Sequence, residues 1–341
     1  MNTTDLYFSD AYLKHQVHLL RFTSGEQKKV IAIFRAMIPE LKAKLNNLMD
    51  FKALHVKAVL KQAEEVISEG YGKIEQGLDL AGLSKTEAEF TAKTFVSIGL
   101  EASLPSETAM KVLISKSLIE GAPSAKWWAK QSDDLAFKFS SQVRQGVAQN
   151  ETIQQIVRRI AGSKKFGVAG IMDVSVRNAS ALVHTSVQQV AADAKLATFK
   201  ANADVVKGVR FLATFDSHTS QTCMAHSGAE WDLEGNIIKG GFPFEPPPLH
   251  FNCRSTLTPI TLTFKELGID VPEHKGTRAS DLGQIPSDLS FSDFLKRHDA
   301  AYADDLLGPG RSKLWRDGKI TLNDLMGQHG RPLTLDELKS K

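Results

Sequence analysis

The stretch GVRFLATF, residues 208–215, decides the fold that we predict for this chain. Its apolar side chains recur at every second position, the period of a strand, at Val209, Phe211, Ala213 and Phe215. The stretch STLTPITL, residues 255–262, alternates threonines with aliphatic residues and predicts a second strand that pairs with the first. The two strands predict a small α+β module over residues 205–262.

The residues before this module have the period of helices. Apolar residues recur every three or four positions, first at Val30, Ile33, Phe34, Met37, Ile38, Leu41 and Leu45. Ser24 with Gln27, and Ser84 with Glu87, have the spacing of capping boxes and predict helix starts at these points. After the module, short helices are predicted at residues 290–307, 311–317 and 321–326.

The predicted fold is therefore mostly α. A helical N-terminal array precedes the small α+β module, and a short helical C-terminal tail follows it. A zinc ion would cross-link the two ends of the long loop in this module. We place the sequence regions at residues 1–122, 123–204, 205–262 and 263–341.

Composition excludes several classes of protein. The chain has 341 residues with 42% apolar residues, which suffices for a buried core. Its 42 basic and 39 acidic residues nearly balance, so overall charge favours neither a nucleic-acid nor a membrane partner. No apolar run approaches the length of a membrane helix, and residues 1–20 lack the pattern of a signal peptide. We expect a soluble protein made in the cytosol.

The two cysteines lie in matching segments that predict a zinc site. Cys223 precedes His226 by three residues, and His250 precedes Cys253 by three, on either side of a loop rich in glycine and proline. Two thiolates and two imidazoles can complete a tetrahedron around zinc, and such a closed set favours a structural site over a catalytic one. The alternative is a pair of buried free thiols beside hydrogen-bonded histidines without metal.

An enzymatic alternative uses neighbouring residues. Asp216, His218 and His250 could supply the acid and the base of a nuclease, with Asn252 and Arg254 holding phosphate. The same residues are also typical of a turn after a strand, in which Arg254 pairs with Asp216. Phosphate loops of the GxxxxGK type and nucleophile elbows are absent from the sequence, which excludes the common ATPase and serine-hydrolase motifs.

Two further clusters invite a nucleic-acid interpretation. Basic side chains near a predicted helix end could contact DNA phosphates or complement the helix dipole, namely those of Arg158, Arg159, Lys164 and Lys165. Trp127 and Trp128 could stack on bases, but an aromatic pair at the start of an amphipathic helix favours packing in a core.

The segments FDSHTSQTC (215–223) and PPPLHFNCRS (246–255) resemble the signature of the phage head morphogenesis family, the minor head proteins that are Mu F-like and SPP1 gp7-like. The resemblance extends to residues 127–162, to the helix at 178–200, and to the C-terminal run 307–338. Many relatives have cysteines where this chain has His226 and Ser255, and Arg-Thr-Glu where it has residues 184–186.

The resemblance implies a virion protein present in few copies inside the capsid near the portal, and in the host cytoplasm during assembly. Its implied partners are the portal protein, the major capsid or scaffolding protein and genomic double-stranded DNA, and no membrane. It implies a role in head morphogenesis and in DNA packaging or ejection, by protein contacts and without enzymatic activity. Residues 1–122 then form the variable region, and 123–204 the helical part of the family domain. The alternative is a DNA-processing enzyme or injected effector that uses Asp216, His218 and His250.

Overall fold

The computed structural model describes residues 3–47, 53–162, 169–263, 265–266, 277–286, 289–326 and 332–340. Its helices are α1 (Thr3–Asn46), α2 (Ala53–Gly77), α3 (Leu80–Val96), α4 (Glu107–Lys116), α5 (Ser124–Ala148), α6 (Ile153–Ala161), α7 (Ile171–Ala201), α8 (Gln221–His226), α9 (Phe291–Leu295), α10 (Ala300–Leu307), α11 (Pro309–Arg316) and α12 (Leu335–Lys339). Its strands are β1 (Leu118–Ile119), β2 (Ala122–Pro123), β3 (Val206–Leu212), β4 (Glu230–Trp231), β5 (Ile237–Lys239), β6 (Thr256–Thr261), β7 (Thr277–Ser280) and β8 (Gly283–Pro286). The mostly α fold, the small sheet module and the short helices of the C-terminal region are confirmed. Across the described residues, no helix is both long enough and apolar enough to cross a membrane.

The chain divides into two compact units, each assembled from segments far apart in sequence. The first unit consists of Met1–Leu19, Ala81–Ile114 and Gln188–Lys341, and the second of Leu20–Leu80 and Ser115–Val187. Local sequence patterns do not predict such interleaving, because it depends on contacts between distant segments. The boundaries near residues 122, 204 and 262 stay predictions about regions of the sequence.

The sheet of the first unit is built around β3. It is antiparallel with the order β5-β4-β3-β6, and β3 pairs with β6 from Val206 opposite Thr261 to Leu212 opposite Thr256. Both predicted strands are thus confirmed, with shifted ends. Every residue of β3 except Lys207 is buried, because helices and loops cover both faces of this central strand.

Aromatic side chains from all parts of the first unit fill its core. They come from α1, α3 and α7, from the sheet, and from the C-terminal helices, and the most buried are Phe8, Tyr12, Phe95, Phe199, Phe211, Phe215, Trp231 and Phe294. The C-terminal region therefore completes the same core that supports β3.

The second unit is helical and packs around Tyr71. Its ring centroid lies 5.5 Å from that of Phe34 and 6.4 Å from that of Trp128. Trp128 is buried, and the Trp127 indole N–H donates to the carbonyl of Ile119 at 2.7 Å. The tryptophan pair therefore serves packing and a hairpin contact, as the pattern favours.

Both predicted helix starts at serine are wrong. Ser24 and Gln27 lie inside α1, and the Gln27 amide donates to the carbonyl of Ser180 at 2.9 Å. Ser84 and Glu87 are buried inside α3. Tertiary contacts use these side chains, so the serine spacing alone misplaces the caps. A capping box does start α6, where Thr152 and Gln155 bond reciprocally.

Candidate metal centre

Cys223 enters the centre from α8, the short helix that follows β3. Ser220 caps this helix, since its hydroxyl oxygen accepts a hydrogen bond from the Cys223 backbone N–H at 3.2 Å. The cap fixes the first turn of α8, and the Cys223 side chain is buried there.

His250 and Cys253 come from a turn just before β6. The Cys253 backbone N–H donates to the His250 carbonyl at 3.1 Å. Asn252 has φ +62°, in the left-handed region that asparagine tolerates better than most residues. This turn puts the two side chains, three residues apart, on the same side.

The three side chains meet at one point. The Cys223 sulfur lies 3.6 Å from that of Cys253 and 3.3 Å from His250 Nε2. All three potential ligand atoms lie within 4.8 Å of one another, so the group could hold a metal ion. Both cysteines are free thiols, not a disulfide.

The histidine tautomer suits ligation. His250 Nδ1 lies 2.9 Å from the carbonyl oxygen of Phe251. A carbonyl can only accept, so Nδ1 carries the proton and Nε2 keeps its lone pair. That lone pair faces the Cys223 sulfur and the Ser220 hydroxyl, which is 2.7 Å away. Such a backbone bond on the far nitrogen is how metal-binding imidazoles are usually oriented.

The two thiols have different acidities. The hydrogen bond with Cys253 lowers the pKa of Cys223 to about 7, and the hydroxyls of Ser220 and Ser255 act in the same direction against the effect of burial. The same hydrogen bond between the two thiols, together with burial, raises the pKa of Cys253 above its usual range. Cys223 is therefore the thiol that ionises first.

His226, the fourth predicted ligand, lies outside this group. Its Nδ1 bonds the Thr222 carbonyl at 2.8 Å, and its ring stacks on Phe242 with centroids 4.3 Å apart. Burial lowers the pKa of His226. Because α8 ends at this residue, its side chain packs against the loop that follows β5. The structure thus brings together three of the four predicted ligands.

A small cavity adjoins the group. Its volume is about 10 Å³, and Cys223 and His250 line it with Thr214, His218, Thr219, Ser220, Asn252, Arg254 and Ser255. This space is about that of one water molecule. A tetrahedral ion with three protein ligands keeps one position for such a small molecule, so this arrangement is not the closed set that the sequence predicts.

Asp216 contacts Arg254 and the backbone of His218. Asp216 forms a two-point ion pair with Arg254, and its Oδ1 also accepts from the His218 backbone N–H at 2.9 Å. Burial raises the pKa of Asp216, but the bonds from Arg254 and the His218 N–H outweigh this and hold it below its usual value. The turn interpretation, with Arg254 paired to Asp216, is confirmed.

The basic cluster is only partly described. Arg158 is exposed on α6, whereas Arg159 pairs with Glu151 and donates to the Gln149 amide oxygen at 2.9 Å. Lys164 and Lys165 lie outside the described residues. DNA contact at this cluster stays a prediction.

Sequence reasoning missed Ser220 and Ser255 as parts of the centre. Ser220 caps α8 and contacts His250, while Ser255 hydrogen-bonds Cys223. The spacing Ser220-x-x-Cys223 before a helix is a capping signal that could have identified the first. Nothing local to Ser255 points to Cys223.

Part of the chain matches a protein family model. Residues 138–258, from within α5 to within β6, match the family model described as Phage Mu protein F like protein. The matched segment contains the whole cysteine–histidine group. It confirms the predicted resemblance to a phage head morphogenesis family and relates the chain to phage heads and virions. No curated protein and no solved structure matches the chain.

Proposed function

We propose, starting from the similarity of residues 138–258 to Phage Mu protein F-like proteins, that this chain is a minor head protein. It acts in head morphogenesis at the portal vertex and in DNA packaging or ejection. It does so through contacts with the portal and with capsid or scaffolding proteins, inside the capsid. The observation that carries the proposal is that the match covers the sheet module from β3 to within β6, including Cys223, His250 and Cys253.

The proposed role is one of assembly and not of catalysis. Asp216, the only carboxylate in the predicted acid–base set, is engaged by Arg254 at both oxygens. The near balance of basic and acidic residues also suits protein contacts better than coating of DNA.

The metal that suits the centre best is zinc. Two sulfurs bound to one tetrahedral zinc lie about 3.8 Å apart, and a sulfur and an imidazole nitrogen about 3.6 Å, from the usual bond lengths. The distances of 3.6 Å and 3.3 Å differ from these by only a few tenths. Thiolate and imidazole are also the ligands that zinc prefers. Bound zinc would link α8 to the turn before β6.

Elemental analysis tests the zinc proposal. Protein purified without a histidine tag should contain about one equivalent of zinc, by the ligand count of a single site. Cys223→Ser/Cys253→Ser should contain none. Wild-type protein that folds but lacks zinc after purification with zinc present would contradict the proposal.

Co-purification with the cognate portal protein tests the assembly role. The full chain, expressed with tagged portal protein, should elute with it, and an unrelated tagged protein of similar size serves as the control. Retention by scaffolding or major capsid protein alone would show that the chain contacts that protein and not the portal. Retention by none of the three would overturn the proposed role.

A DNA-processing enzyme is the second candidate, and one observation favours it. The three-ligand centre leaves a position beside a cavity that His218 and Arg254 also line. Purified protein incubated with plasmid and divalent metal distinguishes the two candidates. Metal-dependent nicking that His250→Ala abolishes would support the enzyme, and uncut plasmid supports the assembly role.

A further inference from the structure

The two cysteines of the candidate metal centre differ in their access to small molecules. Cys223 lines the small cavity beside the centre, whereas Cys253 is not among the described residues that line it. The Cys253 side chain lies deeper, with 1% of the residue exposed. A small molecule that enters the cavity therefore meets the sulfur of Cys223 and not that of Cys253.

The cavity leads from the protein surface to Cys223. His218 and Asn252, which form part of its lining, are exposed, while Thr219, Ser255 and Cys223 on the same lining are buried. Its volume of about 10 Å³ is close to the space that one water molecule needs. This size favours a reagent as small as hydrogen peroxide and excludes one as large as a peptide disulfide.

Cys253 lies where a second thiol can react with an oxidised Cys223. The two sulfurs are 3.6 Å apart, and a disulfide bond is about 2.0 Å long. Only a small approach of the two side chains is needed. The sequence contains no other cysteine, so Cys253 is the one thiol of the same chain that can form this bond.

His250 is placed to accept the proton of the Cys223 thiol. Its Nε2 keeps a lone pair, because Nδ1 carries the proton that is donated to the Phe251 carbonyl. Nε2 lies 3.3 Å from the Cys223 sulfur. A neighbouring imidazole is a common means of activating a cysteine as a nucleophile.

We propose that Cys223 is a site of oxidation by hydrogen peroxide and that Cys253 converts the product to a disulfide. First, the Cys223 proton passes to His250, the sulfur bonds one peroxide oxygen, and the O–O bond breaks. The leaving hydroxide takes the proton from His250 and becomes water, and Cys223 is then a sulfenic acid. Next, the Cys253 sulfur bonds the Cys223 sulfur and the S–O bond breaks. The leaving hydroxide takes the Cys253 proton, so the two thiols lose two electrons and peroxide becomes two waters.

The disulfide and a bound metal exclude each other at this centre. A metal needs thiolate ligands, and the disulfide leaves neither sulfur as a thiolate. Each would tie α8 to the turn before β6, so oxidation replaces a metal cross-link by a covalent one. The proposal needs the two thiols and not the metal, and therefore does not rest on the proposed function.

Alkylation followed by mass spectrometry tests the proposal on the full chain. Protein treated with a chelator, then with hydrogen peroxide, and then unfolded should be alkylated at neither cysteine. After a reducing agent is added, both cysteines should be alkylated. Peptide mapping of the oxidised protein should show Cys223 linked to Cys253 within one chain. Thiols that stay alkylatable, a loss that the reducing agent does not reverse, or a link only between two chains overturns the proposal.

Two serine variants test the order of the reactions. In Cys253→Ser, the oxidation of Cys223 should stop at the sulfenic acid, which dimedone labels. In Cys223→Ser, Cys253 should stay a thiol under the same treatment, because the cavity does not reach it. Dimedone labelling of Cys253 in Cys223→Ser as fast as that of Cys223 in Cys253→Ser overturns the assignment of Cys223 as the oxidised thiol.

A parallel measurement separates this proposal from the zinc proposal. Protein loaded with zinc should release it on treatment with peroxide, and a colorimetric chelator detects the released ion. Protein that forms the disulfide but binds no zinc contradicts the zinc proposal and supports this one. Protein that binds zinc but forms no disulfide, even after the zinc is removed, overturns this proposal alone.

Discussion

Arg254 holds Asp216 by two parallel bonds, Nη1 to Oδ2 and Nη2 to Oδ1, each 2.6 Å long. The pair ties the segment after β3 to the turn that carries His250 and Cys253. Both side chains are 22% exposed, so the pair is shielded from water more than a surface ion pair is. Arg254 thereby ties the turn to the segment after β3 and occupies both oxygens of Asp216.

Arg254→Ala should lower the free energy of unfolding by about 2 kcal/mol, because Asp216 would keep its charge without the partner that compensates for burial. Arg254→Lys should recover part of this loss, since lysine restores the charge without the two-pronged geometry. Urea denaturation measures both. The exposed pair of Lys14 and Asp10 is the control, and Lys14→Ala should change the free energy of unfolding much less than Arg254→Ala does. Equal losses in Arg254→Ala and Lys14→Ala would contradict the role of the pair.

The contribution of Arg254 to the free energy of unfolding should decrease as the pH falls. The folded state holds the pKa of Asp216 below its usual value. The stabilisation is therefore complete above the unfolded pKa of about 3.9 and disappears as the pH falls through the lower folded value. The free energies of unfolding of wild type and Arg254→Ala should differ by a constant amount between about pH 5 and 7, and the difference should shrink as the pH falls through the folded-state pKa of Asp216. A difference that grows toward acid pH would show that another group is responsible.

Lys195 and Glu87 should be strongly coupled. Lys195 is 1% and Glu87 2% exposed, with 3.5 Å between Nζ and Oε2, and His15 also contacts Glu87. Lys195→Met leaves the Glu87 charge buried with less compensation, so it should cost about 3 to 5 kcal/mol. Adding Glu87→Leu to Lys195→Met should lower the free energy of unfolding by much less than Lys195→Met alone does. A double-mutant cycle by urea denaturation measures the coupling, and additive losses would argue against a charge pair. On the exposed face of α2, Glu69→Gln removes the ion-pair partner of Lys73 and should change the free energy of unfolding little.

His226 should not be needed for metal. His226→Phe keeps a ring against Phe242 and should retain zinc, whereas His250→Ala should lose it. Elemental analysis of the two variants, with wild type alongside, gives the answer. Zinc lost from His226→Phe while its circular dichroism stays native would restore the four-ligand site that the sequence predicts.

Substitution by alanine should destabilise the protein at Gly208 and stabilise it at Gly72. A Cβ at Gly208 would lie 2.4 Å from the Trp231 carbonyl oxygen, so Gly208→Ala should push β4 from β3 and cost more than about 1 kcal/mol. A Cβ at Gly72 in α2 meets nothing within 4 Å, and Gly72→Ala should stabilise by about 0.5 to 1 kcal/mol. Thermal unfolding of both variants checks the signs, and a stabilised Gly208→Ala would show that β4 can move without loss.

If duplex DNA binds at α6, removing the Arg158 side chain should weaken binding more than removing that of Arg159. Arg158 is exposed, and Arg159 is half-buried where it pairs with Glu151. Arg158→Ala should weaken duplex binding and reduce the salt dependence by about one phosphate contact. Arg159→Ala should mainly affect stability. Filter binding across salt concentrations measures the slope, and identical slopes for wild type and Arg158→Ala would remove Arg158 from the DNA surface.

The two strands and three potential metal ligands, Cys223, His250 and Cys253, were predictable from sequence because their signals are local. Alternation over 208–215 and the three-residue spacing of Cys223 and Cys253 with histidines need no knowledge of distant residues. The spacing wrongly predicted His226 as a ligand. The direction of its side chain depends on its position at the end of α8 and on the ring of Phe242. The same holds for Glu87, which has a capping position in sequence but whose partners, His15 and Lys195, lie elsewhere in the chain.

The loop between β5 and β6 is held at both ends and also at Phe242, which is buried and whose carbonyl accepts a hydrogen bond from the Trp231 indole N–H at 2.8 Å. β5 is exposed along its whole length, and the turn at His250 is fixed by its own backbone bond and by the contacts of Cys253. Doubling the length of such a loop costs only about 0.6 kcal/mol in chain entropy. An insertion at Gly241, which is exposed and where an added Cβ would meet nothing within 4 Å, should therefore be tolerated without moving the ligands as long as Phe242 keeps its contacts. This segment is where evolution, or an engineer, can graft a new peptide onto the protein and leave the centre intact.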